Sequence, residues 1–116
     1  MIQEQTIVRV ADNSGAKTAL CIKVLGGSGK KVAKPGDKVV VVVKTVRSSV
    51  NARSKIEKGT ISHAVVVRVK PVLKENAVIL LNQKNEPVGS RIFGPISGRL
   101  VRKGWKKVAI IAPRLL

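Results

Sequence analysis

Carboxylates are scarce in this chain: six Asp and Glu stand against 23 Lys and Arg, leaving a net charge of +17 over 116 residues. A small domain with that imbalance repels itself unless an anion neutralises it. Nucleic acid is therefore the first candidate partner and an anionic membrane surface the second. Aromatic rings are nearly missing too, with Phe93 and Trp105 present and no tyrosine. Modules that read single-stranded bases stack them on several rings. Folded RNA or a duplex, held through phosphates and shape, is the better match. A single cysteine, Cys21, excludes an internal disulfide, and with His63 as the one histidine no zinc site of the usual kind can be assembled. The acids are scattered, with no close pair for acid–base work. No apolar run nears the roughly 18 residues of a spanning helix. The basic segments lack the helical period and aromatic face of a surface-lying membrane helix. Met1–Gln5 has neither the charged start nor the apolar stretch of an export signal. The class expected is a soluble, intracellular nucleic-acid binder.

What is present is apolar enough to fold. An apolar fraction of 44 % and a mean hydropathy of +0.12 exclude a wholly disordered chain. One domain is expected over residues 1–116, with a loop and short-helix part from about 83 to 116. The organising stretch is Val39–Val43, five valines between Lys38 and Lys44. β-branched side chains are stiff at χ1 and suit a pleated strand, and a run apolar at every position predicts cover on both faces. Further strands are predicted at Ile7–Val10, Thr18–Leu25, His63–Val69 and Ala77–Leu81, and a sixth β-like run at Val108–Ala112. Asp12-Asn13-Ser14-Gly15 reads as a hairpin turn, and Pro35-Gly36 suits the centre of a type II turn. Ser97 is placed to cap a short helix ending at Gly104. Short strands alternating with turns predict a mainly β fold, a Greek-key or OB/SH3-like barrel.

The loop Gly26–Lys31 fails the P-loop spacing, because Val24 and Lys31 occupy positions that need Gly and Ser or Thr. It reads instead as a basic loop able to approach phosphates closely. Cys21 lies in an apolar strand, where packing is the expected role. A Cys21–His63 nucleophile–base pair lacks any accompanying oxyanion donor set. The expected phosphate contacts are Lys30, Lys31, Lys34, Arg47, Arg53, Lys55 and Lys58 in the loops flanking the valines. To these are added Arg68, Lys70, Arg102, Lys103, Lys106 and Lys107. Glu86 is the last acid; seven basic residues follow it.

Several segments, in order along nearly the whole chain, carry a specific likeness. They are Met1-Ile2-Gln3-Glu4-Gln5-Thr6, Val10–Ala16, Cys21–Gly27, Ala64–Arg68, Asn76-Ala77-Val78, Leu80-Leu81-Asn82, Gly89–Pro95 and, more weakly, Ala112-Pro113. Together they resemble the bacterial or organellar form of the universal large-subunit ribosomal protein number fourteen. The resemblance implies a small five-stranded β-barrel with short helices in the C-terminal part. It implies no catalysis and no cofactor, a ribosomal location in a bacterial cytoplasm or an organelle, and binding of large-subunit rRNA on the intersubunit face. A bridge to small-subunit rRNA, contacts with neighbouring ribosomal proteins, and docking of a ribosome-silencing or anti-association factor are implied as well. The docking surface would include Ser90, Arg91, Ile92, Phe93 and Arg99, although Ile92 and Phe93 equally suit a plug at one end of the barrel. The sequence departs from the family pattern in its short link, Pro71–Glu75, and in a more basic C-terminal part, with Gly98-Arg99-Leu100 where an acid often stands.

Two other readings compete. A free-standing OB-like binder of single strands would need the missing aromatic platform, and an enzyme with Cys21 as nucleophile would need an accessible thiol.

Overall fold

A computed structural model describes residues 2–25, 32–46, 56–69 and 75–113. The elements are β1 (Ile2–Gln3), β2 (Ile7–Val10), β3 (Ala16–Val24), β4 (Val32–Ala33), β5 (Lys38–Val46), β6 (Ile61–Arg68), β7 (Ala77–Leu81), α1 (Arg99–Arg102) and α2 (Lys106–Ile111). Strands β2-β3-β5-β6-β7 close into a five-stranded barrel, as the fold reading expects. All neighbours are antiparallel except β2 and β7, which close the barrel in parallel through Arg9 opposite Ala77 and Val10 opposite Val78. Closure leaves these strands without a free edge, which removes the usual site of strand-to-strand aggregation. Outside the barrel, β1 and β4 form a two-residue antiparallel pair too short for sequence patterning to reveal.

The two turns read from the sequence have the expected conformations. Asp12–Gly15 joins β2 to β3, and Gly15 has φ 109°, a region open to glycine at little cost. In the Pro35–Gly36 turn Gly36 has φ 92° and the Asp37 amide donates to the Lys34 carbonyl at 2.9 Å, the hydrogen bond of a type II turn.

Two expectations need correction. The valine run is not covered on both faces. Val39, Val41 and Val43 are at most 1 % exposed and point into the barrel, whereas Val40 and Val42 face outward and are half-buried. The strand sealed on both faces is β7, every residue of which is buried. Its Val78 and Leu80 join the barrel interior, while Ala77, Ile79 and Leu81 join a second core outside the wall. That outer core is completed by Val65 and Val67 of β6 and by Ile92, Ile96, Leu100 and Val108 from the C-terminal part. Burying each of these four large side chains stabilises the fold by roughly 1.5–3 kcal/mol, so the C-terminal part is held on by apolar area.

The second correction is at Val108–Ala112, which lies in α2 up to Ile111 rather than in a sixth strand. A strand would turn residues 108, 110 and 112 to one side. Instead Trp105, Val108 and Ile111 share the face against the outer core, at a spacing of three, and Ile110 is 80 % exposed. The short helix expected after Ser97 is present as α1, but its N-cap is Gly98 rather than Ser97; Ser97 Oγ accepts from the Arg99 amide at 3.3 Å, and Gly104 follows the helix at φ 89°.

Candidate nucleic-acid and protein interface

The turn between β2 and β3 organises the C-terminal part as well as its own hairpin. Asp12 is buried, and its carboxylate accepts from the Ser14 amide and hydroxyl and from the Leu80 amide on β7 at 3.1 Å. Asn13 reaches across the chain: its Oδ1 accepts from the amides of Ser90 (2.8 Å) and Arg91 (3.2 Å), and its Nδ2 donates to Ser90 Oγ (3.1 Å). The Asn13 amide donates in turn to the Arg91 carbonyl, and the Phe93 amide to the Ala11 carbonyl at 2.6 Å. A Cβ at Gly89 would lie 2.6 Å from Asn13 Oδ1, so glycine lets the two loops come this close.

Arg68 fixes the far end of the same segment. Only 6 % exposed, it donates through Nη1 to the carbonyls of Phe93 (2.7 Å) and Pro95 (3.1 Å), and through Nη2 to Glu75 Oε1 at 2.8 Å. Strict alternation along β6 would put residue 68 on the barrel-interior side with Ala64 and Val66. A register irregularity between Val66 and Arg68 re-aims it outward. Gly94, at φ 83°, leaves room for the guanidinium, since a Cβ there would stand 2.7 Å from Nη1. Arg68 is thus a correction to the expected phosphate contacts: its donors are spent inside the protein.

The short helices are anchored to the Pro35–Gly36 turn. Trp105 Nε1 donates to the Gly36 carbonyl at 2.8 Å, and Lys103 Nζ donates to Asp37 Oδ1 at 2.7 Å. Asp37 is buried and its other oxygen accepts from the Lys34 amide. Lys107 pairs with Glu86 at 2.9 Å. Lys103 and Lys107 are therefore partly neutralised, while Arg99, Arg102 and Lys106 are exposed and, among the described residues, have no carboxylate partner.

Of the remaining expected contacts, Lys34 and Lys58 are exposed, whereas Lys30, Lys31, Arg47, Arg53, Lys55 and Lys70 lie outside the described residues. Of the expected docking residues, Ser90, Arg91 and Arg99 are exposed. Ile92 and Phe93 divide between the two alternatives: Ile92 is 2 % exposed within the outer core, and Phe93 is 39 % exposed. Sequence reasoning did not single out the exposed cations Lys17 and Lys23 on β3. Their signal was available as charges inside otherwise apolar strands. The reach of Asn13 over 77 residues to Ser90 had no local signal.

Cys21 and His63 do not meet. Cys21 is fully buried inside the barrel, and burial pushes its thiol above the ordinary range, which keeps it neutral. His63 is exposed on the outer surface of β6. The barrel wall separates the two groups.

A family model described as "Ribosomal protein L14p/L23e" matches residues 1–116. This chain belongs to that family. The chain is accordingly a structural constituent of the large ribosomal subunit, acting in translation at the ribosome in association with rRNA and other ribosomal proteins. The family is structural rather than enzymatic, in keeping with a neutral, enclosed thiol. The Gly89–Pro95 segment and the two short helices form one cationic end of the chain, anchored to the barrel by Asn13, Arg68 and Asp37.

Proposed function

We propose that this protein contacts large-subunit rRNA on the intersubunit face through its rim loops and C-terminal cations, and contributes there to a bridge with small-subunit rRNA. The observation that carries the reading is the set of exposed cations at the C-terminal end that have no carboxylate partner among the described residues. Arg102 and Lys106 project from helices whose apolar faces and hydrogen bonds tie them to the barrel. Charges on a preorganised support lose less entropy on meeting a phosphate than charges on a free tail. Lys34 and Lys58 extend the same chemistry to the rim, and Lys30, Lys31, Arg47, Arg53, Lys55 and Lys70 are proposed alongside them.

Changing Arg102 and Lys106 together to Ala is expected to leave the melting transition unchanged and to weaken rRNA binding. The slope of log affinity against log salt should flatten by about 1.8, at about 0.9 per phosphate contact on duplex-like RNA. An unchanged slope in filter binding across a salt series would remove these two residues from the interface.

Beside this end, the Gly89–Pro95 turn is proposed to receive a protein: a neighbour in the subunit or a silencing-type factor. It offers a backbone held by Asn13 and Arg68, a half-exposed Phe93 and the exposed side chains of Arg91 and Arg99. The backbone of Arg91 makes the contacts to Asn13, so the side chain can be changed without loosening the turn. Arg91→Glu should fold and enter subunits normally yet bind such a factor roughly tenfold or more weakly. Equal affinity of purified mutant and wild-type subunits, for a factor that binds the wild type, would refute this assignment.

A further inference from the structure

The strand registers line up an apolar row on the outside of the barrel, away from the C-terminal end. Ile7 lies opposite Leu20, Leu20 opposite Val42, and Val42 opposite Ile61. The row therefore crosses β2, β3, β5 and β6, a length of about 14 Å at the usual inter-strand spacing. Ile7 is 66 % and Ile61 67 % exposed, while Leu20 and Val42 are half-buried between them. Ile22, 36 % exposed, and Val40 widen the strip. Aliphatic residues scattered singly over a surface need no explanation, but four brought into one row do.

The charges around the strip say what would cover it. None of β2, β3, β5 and β6 contains a carboxylate, whereas Lys17, Lys23 and Lys44 are exposed on them. A second copy would bring the same cations face to face, and the chain's +17 charge opposes that pairing. RNA would set phosphates and sugars against aliphatic side chains with no ring for a base to stack on. We infer that the strip Ile7–Leu20–Val42–Ile61 docks a different protein, through a segment that presents an aliphatic ridge edged by Asp and Glu. This surface is separate from Gly89–Pro95, and the inference rests on the placement of the chain in the large subunit.

The test uses the assembled particle. A photo-crosslinking residue, p-benzoylphenylalanine, is placed at position 61 and, in a second variant, at position 7, and large subunits are isolated on sucrose gradients before irradiation. The expected product at both positions is a covalent adduct to another protein, mapping to a segment with aliphatic residues and neighbouring carboxylates. Adding Ile22→Ser and Val42→Ser to the position-61 variant should abolish the adduct while subunit entry persists. Crosslinks to rRNA, to a second copy, or to a protein segment without carboxylates would overturn the inference, as would no adduct at either position. Failure of the unsubstituted chain to sediment with large subunits would instead overturn the rRNA-binding reading, and this one with it.

Discussion

Val41→Asp is expected to abolish folding. Val41 is fully buried at the centre of β5, with Cys21 of β3 on one side and Ser62 of β6 on the other. Its side chain points into the barrel, where Val8, Val39, Val66 and Leu80 belong to the same apolar cluster. A carboxylate there would lose its hydration with no cation or donor placed to replace it. The cost is several kcal/mol, against a total stability of about 5–15 kcal/mol for a domain of this kind. The neighbouring substitution is the control. Val42 faces outward and is half-buried, so Val42→Asp keeps its carboxylate in contact with water and should retain a cooperative melt. Far-UV circular dichroism against temperature separates the two. A Val41→Asp protein melting within a few degrees of wild type would refute the inward assignment, and equal damage from both would refute the alternation.

The second large effect is at Arg68. Arg68→Leu keeps a similar apolar stem but removes the donors to the Phe93 and Pro95 carbonyls and the close partner of Glu75. Glu75 retains Arg9 at 3.4 Å and is partly solvated, so the ion pair contributes less than a fully enclosed one would. The two part-buried hydrogen bonds from the charged guanidinium matter more, at about 1.5–3 kcal/mol for bonds of this kind. A loss of about 3 kcal/mol is expected overall, lowering the melting temperature by roughly 10 °C. The loss should also be local. Amide exchange at Phe93, whose amide is bonded to the Ala11 carbonyl, should quicken more than exchange in β5, because the turn is released before the barrel opens. A variant within about 1 kcal/mol of wild type, with exchange at Phe93 unchanged, would show that the bonds to Asn13 and Ala11 and the burial of Ile92 hold the segment without Arg68.

These two positions also differ in how much their own sequence neighbourhood reveals. Val41 belongs to a run whose strand character is local chemistry: β-branched residues favour extended backbone in almost any setting. The Asp12–Gly15 and Pro35–Gly36 turns are local in the same way, since the preferences of Asp, Asn, Gly and Pro act over about four residues. Charge is a sum over the chain and needs no fold, so the RNA-directed balance is legible in the composition itself. So is the family in the order of its segments, which follow one another along nearly the whole chain. Arg68 belongs to the other class. Its sequence neighbourhood, Val-Val-Arg-Val, describes a cation at a strand end; the irregularity in register takes it off the barrel-interior side, and two carbonyls some 25 residues away bury it beneath the Gly89–Pro95 segment.

The same division explains the remaining differences. From sequence alone, Lys38–Val46 is a strand, but which valines are sealed depends on where the C-terminal part lies. That part covers β6 and β7 and leaves the outer side of β5 half-open. Val108–Ala112 is short and apolar, a pattern that suits a strand or a helix equally. The outer core decided for the helix, because that geometry aligns Trp105 with Val108 and Ile111. The five barrel strands, the two turns, the family and the cationic character are legible without a fold, because they rest on composition, order or short-range preference. Which of the described cations lack a carboxylate partner, which face of each strand is covered, and what holds the C-terminal end follow from the packed molecule alone. Each of those depends on contacts between residues far apart in the chain, and no local preference encodes them.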